Sequence, residues 1–380
     1  MKQEVLPPIE ESIGAGALAP PLPPRRSVSI FRKRVRKFKT LKRGYYSFLI
    51  LLVAYAISFI LPILINNKAL VVHYRGRFYF PIMSYYPASE FGMDAIGEPD
   101  YRALKNRLST EGGGNWLSMP PYPYSATESL LDLPGSPPHA PSRDHIFGTD
   151  DRARDVFARL AYGFNVSLTF ALLVLGFSYI VGVFVGAMLG YFGGKLDILG
   201  QRLIEIWSSL PFLYTIIIIS SIIVPIYIPG RNLVAQPSFW LLIAILATFD
   251  WMGITYYVRG EFYREKAKDY VGAAISIGVP EWAIMFRHIL PNALTPVVSF
   301  APFAIVANIE ALVALDFLGF GLPAPTPSWG ELIGQGVNYL TDWWLIFFPL
   351  GAVFITLLLI VFVGESIREA FDPKEFSRLR

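Results

Sequence analysis

Asp250 is the only charged residue between Arg231 and Arg259. About nine residues from Arg259, it would lie roughly 13 Å inside a helix. If that helix crosses a membrane, an ionised carboxylate there costs on the order of 3 kcal/mol. Such a group either lines a wet translocation path or is a hydrogen-bonded packing residue, and both readings stand. Catalysis finds less support. The chain has no cysteine, and His73, His139, His145 and His288 are scattered without zinc-ligand spacing, so neither a disulfide nor a metal site is expected. No nucleophile with an adjacent base is visible, and no catalytic residue is expected. Gly194-Lys195 is the nearest approach to a phosphate-binding loop. It fails because Leu189 stands where the opening Gly belongs and Leu196 where Ser or Thr must reach Mg²⁺. Any nucleotide hydrolysis the chain depends on belongs to another polypeptide.

Two further patterns concern contact rather than reaction. DYVGAAISIGVPEWAIMFRHILPNA, Asp269 to Ala293, reads as two short helices meeting at a bend. Ala273 and Ala274 allow close packing, Gly278 suits positive φ at a helix end, Pro280 suits the first turn of the next helix, and Pro291 should end that segment. This describes a small knob, or an interfacial helix with no partner. Ser178, Gly182, Gly186 and Gly190 recur every four residues, a small-residue stripe for close helix approach. Its partner is either another helix of this chain or a second subunit.

The elements that must carry these residues are membrane helices. The 380 residues are 53% hydrophobic and only 16% charged, below the roughly 25% charge of soluble domains. Six charge-poor blocks stand out, each long enough for a bilayer core of about 30 Å. They are Tyr45 to Ile65, about Val166 to Gly190, Glu205 to Arg231, Arg231 to Arg259, Ile289 to Ile309, and Trp343 to Gly364. Ten Lys or Arg and no acid lie between Arg25 and Arg43, which predicts a cytoplasmic N-terminus. Membrane lipids are the expected partner of that run rather than nucleic acid, and a cleaved signal peptide is not expected. The stretch from Arg259 to His288 carries five bases, so it is expected inside, together with the C-terminus.

The predicted layout is a disordered basic tail over 1–43, a first transmembrane helix over 44–66 and a periplasmic segment over 67–150. The core follows over 151–366 with helices two to six and the cytoplasmic loop 260–291, then a cytoplasmic tail over 367–380. Leu70 to Pro81 alternates like a hairpin around Arg75-Gly76, and the Pro- and Gly-rich run from Gly112 to Pro141 reads as extended chain. The periplasmic segment could gate or receive a substrate, or cap the bundle.

The knob resembles the loop of ABC importer permeases, with Ala273, Ala274, Gly278, Leu290 and Pro291 at the family's spacing. Gly272 and His288 depart from the general pattern. The peptide-importer branch shares these departures and its Arg-His-x-Leu-Pro-Asn is matched by Arg287, His288, Leu290, Pro291 and Asn292. HIFGTDDRARDVFARLAYG, GYFGGKLD, DFLGFGLPAPTPSWGELI and GESIREAFDP resemble further peptide-permease motifs. Ala153 replaces a Gly in the first of these, and Leu312 stands where the commoner wording has Glu; Glu310 is two residues off. The Asp-Phe-Leu-Gly-Phe-Gly wording resembles most the branch that carries oligopeptides and microcin C.

The resemblance implies an all-α integral membrane protein of the type I ABC importer permease fold. Six transmembrane helices would have a large periplasmic insertion between the first two. It implies a transport subunit of the bacterial inner membrane, not an enzyme, that binds no cofactor. ATP and Mg²⁺ would be used by two partner ATPase subunits, or one fused ATPase, seated on Ala273, Ala274, Gly278, Arg287, Leu290 and Pro291. A second permease, a periplasmic solute-binding protein and a peptide substrate complete the implied set. The competing classes are an ion-driven secondary transporter, which needs paired midplane charges in repeated halves, an importer permease for a non-peptide solute, and a membrane enzyme.

Overall fold

The basic run folds as an amphipathic helix, α1 (Ile30–Thr40), followed by α2 (Lys42–Ser58) and the short α3 (Leu61–Leu64). The computed structural model describes residues 30–111, 114–223 and 238–371. Of the disordered tail expected over 1–43, residues 1–29 lie outside the described residues and the rest is helical instead, in α1 and the start of α2; the surroundings of Arg231 and residues 372–380 also lie outside the described residues. At 17 residues, α2 reaches only about 26 Å. Pro62 in the first turn of α3 explains the break, since it has no N–H to donate back to the preceding turn and its ring crowds the carbonyl there. The first apolar block is therefore a broken helix rather than one rod over 44–66.

An insert follows with its own core. Strands β1 (Val71–Tyr74) and β2 (Arg77–Tyr79) form the hairpin, turning on Arg75 and Gly76 at φ 50° and 74°. A 3₁₀ turn over Ala88–Phe91, α4 (Tyr101–Glu111) and β3 (Trp116–Ser118) complete it, in the antiparallel order β2-β1-β3. Val72, Phe91, Leu104 and Leu108 are buried together.

The helical bundle begins with α5 (Val156–Phe192) and continues through α6 (Gly194–Ser208), α7 (Phe212–Ile223), α8 (Phe239–Lys266) and α9 (Asp269–Ser276). After α10 (Glu281–Ala283), a π-helical turn over Ile284–Ile289, and α11 (Leu290–Ala293) come α12 (Thr295–Phe317), α13 (Trp329–Asn338) and α14 (Trp344–Phe371). Four of these, α5, α8, α12 and α14, are long and apolar enough to cross a membrane. The pair α6 and α7 makes one further candidate, bent by 74°.

Several helices overrun their apolar blocks. Asp155 caps α5 by accepting from the Ala158 N–H at 2.8 Å, so the helix starts well before Val166 and encloses Arg159. The helix α8 continues past Arg259, whose guanidinium meets Asp197 at 2.5 and 2.6 Å; the loop begins at Ala267 rather than at 260. Helix α12 is displaced from the expected Ile289 to Ile309 and encloses Glu310. A charge ends an apolar block, but it ends a helix only when the backbone has somewhere better to go.

Candidate functional site

The loop between α8 and α12 is a folded knob. Lys268 precedes α9, and the chain turns at Gly278, where φ is +78°. The Gly278 and Val279 N–H groups return to Ile275 O and Ala274 O at 3.0 and 3.1 Å, closing the end of α9. Pro280 stands one residue before α10, as its N-cap, and not in its first turn. Pro291 does not end the segment. The helix passes through it because the preceding π-helical turn, Ile284–Ile289, widens the backbone where the proline ring would strike a carbonyl.

The knob's underside is apolar. Val271, Ala274, Ile284, Met285, Ile289 and Ala293 pack against Val258 and Phe262 of α8 and Ala187 and Tyr191 of α5, with Leu290 partly buried at the edge. Its upper side leaves Ala273, Gly278, Arg287 and Pro291 exposed, and with them Ile275, Ile277 and Trp282 at 53%, 80% and 53% exposure. The three large apolar side chains were not singled out in the sequence. They look like core residues there, and only the fold shows them facing outward.

At the other end of the bundle, four sequence segments close into a buried charge network. Arg154 Nε donates to Asp150 at 2.7 Å and Arg154 Nη2 to Glu331 at 3.0 Å. Arg159, wholly buried, donates to Glu331 at 2.5 Å and to Ala126 O at 3.3 Å. Burial pushes the Glu331 carboxyl up, but Arg159 and Arg154 outweigh it and hold it below the usual carboxylate range. Ser328 caps α13 by accepting from the Glu331 N–H at 3.2 Å, while its hydroxyl donates to Asp316 at 2.5 Å. Trp329 donates to Leu160 O at 3.1 Å and Trp344 to Thr149 O at 3.1 Å. Asp155 also accepts from the Tyr122 hydroxyl at 2.6 Å, with His145 Nδ1 at 2.9 Å. Two motifs known from the sequence only as separate wordings, around Asp150 and around Glu331, are thus halves of one clasp.

Between these ends run the small-residue stripe and Asp250. Gly182, Gly186 and Gly190 lie against α8, so close that a methyl group at Gly186 would stand 2.7 Å from Thr255 O and one at Gly190 2.6 Å from Phe262 Cβ. Ser178 is buried on the same face. The stripe packs inside the chain, against α8. Asp250 is half-buried and accepts a long hydrogen bond of 3.5 Å from Asn308 Nδ2 on α12. On the same helix Glu310 is exposed, flanked on its face by exposed Ala307 and Ala314. Glu310, two residues off the position where the commoner family wording has Glu, received no role from the sequence.

Comparison with known proteins shows the family. Residues 182–376 match the family described as binding-protein-dependent transport system inner membrane component. The chain belongs to that family. It is 40% identical over 344 residues to the inner membrane ABC transporter permease protein YejE of Escherichia coli K12, covering 90% of this chain and 96% of that one. The peptidoglycan transport system permease protein YejE of Agrobacterium fabrum is 38% identical, over 91% and 94% of the two chains. The oligopeptide transport system permease protein OppC of Haemophilus influenzae is 37% identical, over 61% and 71%. The inward-facing methionine ABC transporter MetNI aligns at 19% identity and a TM-score of 0.46 over 56% of this chain and 96% of that one. As a member of this permease family the chain is a membrane transport subunit, and the secondary-transporter and enzyme readings fall.

Proposed function

We propose that this permease and a second permease subunit together form the path by which oligopeptides or peptide-like compounds, microcin C among them, are imported across the inner membrane. The observation that carries the reading is the two-sided knob: an apolar seat under α9 and an exposed apolar crest of Ile275, Ile277 and Trp282. Exposed large apolar groups clustered on a loop are a docking surface, and this one is joined to α8 by packing, so a partner that grips the crest moves the helix. The partners on that side are two ATPase subunits or one fused ATPase, which use ATP and Mg²⁺. The names carried by relatives, oligopeptide, dipeptide and peptidoglycan transport, support the substrate class.

The accompanying topology has six spans. The broken α2 and α3 supply the first and α6 with α7 the third, the knob and both termini are cytoplasmic, and the insert is periplasmic near the solute-binding protein. Asp250 and Glu310 then border the path, where an intramembrane carboxylate meets water or a peptide cation. The test is copurification of the full importer and its ATP turnover with binding protein and peptide. Ile277→Asp should abolish peptide-stimulated turnover and ATPase association while leaving the chain's own thermal stability unchanged, because Ile277 is exposed. Normal association and stimulation with that charge on the crest would refute the docking role.

A further inference from the structure

Where the two roots of the 267–294 loop rejoin the bundle, a cavity of about 330 Å³ opens between them and α1. Arg264 and Glu265 enter from the last turn of α8, Lys268 and Tyr270 from the loop's first root, Thr295 from its second, and Arg34 from α1. Three cations here face one carboxylate, and that carboxylate is already engaged. Lys268 Nζ lies 2.6 Å from Glu265 and the Tyr270 hydroxyl donates to it at 3.0 Å. Arg264 pairs along α8 with Glu261 at 2.6 Å. Arg34 meets no carboxylate among the described residues. Its Nη1 gives Thr295 Oγ1 a long hydrogen bond of 3.4 Å, its guanidinium lies 4.8 Å over the Phe371 ring, and its buried Nε has no hydrogen-bond partner there. Burial pushes this guanidinium's pKa down from its ordinary value, as expected of a cation desolvated without an anion.

We propose that this cavity binds a phosphate group, held by Arg34 and Lys268 with the Thr295 hydroxyl, and so ties α1 to both roots of the loop. A guanidinium fork, an ammonium and a hydroxyl converging from three elements suit a tetrahedral anion with several acceptor oxygens better than a planar carboxylate already matched by one arginine. Two sources share this chemistry: the headgroup of an anionic phospholipid, which the basic face of α1 would attract, and free inorganic phosphate. Binding does not depend on the transport role proposed above, so its test reads phosphate occupancy and not uptake.

The importer complex would be titrated with phosphatidylglycerol or phosphatidylcholine and its bound lipid counted by native mass spectrometry, with and without millimolar inorganic phosphate. Arg34→Gln should weaken the phosphatidylglycerol adduct about tenfold, and Arg34→Lys should restore part of that. Lys33→Gln removes the same charge from an exposed position on the same helix and should change affinity less than twofold. If the Arg34 variant does not assemble, Thr295→Val keeps every charge and should still cost about threefold. Displacement of the lipid by inorganic phosphate would make the free anion a ligand too; lack of displacement would make the headgroup the ligand. Equal losses from Arg34→Gln and Lys33→Gln would mean diffuse attraction to a basic helix and would overturn the proposal. Absence of saturable binding by either probe would overturn it as well.

Discussion

The two ends of the bundle are held by different physics. The clasp at the insert end joins Asp150, Arg154, Arg159 and Glu331 through directed hydrogen bonds among side chains that are mostly removed from water. Charges so buried have one good arrangement, and any shift leaves a partner unpaired. The knob at the other end rests mainly on aliphatic contacts that are non-directional, tied to α8 through Lys268 and Tyr270 at Glu265. Such aliphatic contacts tolerate a small rearrangement better than the clasp does, while still joining the knob to α8. The comparison predicts that the insert end is the fixed reference of the subunit and that the loop end, with the helix it packs on, is the part that moves.

The largest effect should come from breaking the fixed end. Arg159→Ala leaves Glu331 and Asp150 buried with a lost partner and should destabilise the chain by about 3–5 kcal/mol, read as a lower thermal midpoint in detergent. Restoring the balance with an apolar pair, Arg159→Met with Glu331→Leu, should recover most of the loss. A double variant as unstable as the single one would show that the network is not a charge balance at all. The clasp also has an acid limit. Because the folded-state pKa of Glu331 lies below its unfolded value of about 4.3, its stabilising contribution is fully present above that value and disappears as pH falls through the lower folded value. Stability of the wild type should therefore fall more steeply than that of the apolar pair below about pH 4.3, measured by thermal midpoints across pH.

A smaller effect is expected where the two ends are connected. Along α5 and α8 the glycine stripe sets the distance between helices, so Gly186→Leu must force them apart and should cost about 1–3 kcal/mol. Gly176→Leu, on the same helix with nothing within 4 Å of an added Cβ, should cost far less. Similar losses at both positions would mean that the effect does not come from the α5–α8 contact, since replacing a helical glycine by leucine by itself raises helix propensity.

The stripe was legible in the sequence because its four-residue period is a local property. So were the hairpin at Arg75-Gly76 and the bend at Gly278, since each follows from what a backbone can do over a few residues. The clasp was not, because Arg159 and Glu331 are 172 positions apart and neither motif contains any sign of the other. Helix lengths were misread for a related reason. Arg159, Arg259 and Glu310 interrupt the apolar pattern, but the first two are neutralised by partners from distant segments and the third faces outward, so none interrupts the helix.

At the movable end the expected changes are about 1 kcal/mol. Gly278→Ala places a Cβ at φ +78° in open space, so its cost is backbone strain alone, about 1–2 kcal/mol. Gly272→Ala, in α9 and also unobstructed, should instead stabilise by up to about 1 kcal/mol through helix propensity. If the knob acts as a stiff lever, the first should lower ATPase stimulation and the second preserve or raise it. Changes in the same direction would mean that loop stiffness has no bearing on coupling.

The smallest stability change is predicted at Asp250, and there the comparison between fixed and moving parts becomes a functional one. Asp250→Asn keeps shape and leaves the long contact with Asn308 available, so the thermal midpoint should shift by the equivalent of less than about 1 kcal/mol. The carboxylate's charge, however, is absent from the variant. If Asp250 borders the path, uptake of cationic peptides should fall more than uptake of anionic ones, at normal expression and with the ATPase still associated. Unchanged uptake of both classes would return Asp250 to packing and leave exposed Glu310 as the carboxylate to test next. A large loss of stability with an equal loss for both classes would place Asp250 among the groups that hold α8 against α12, extending the fixed region from the clasp into the middle of the bundle.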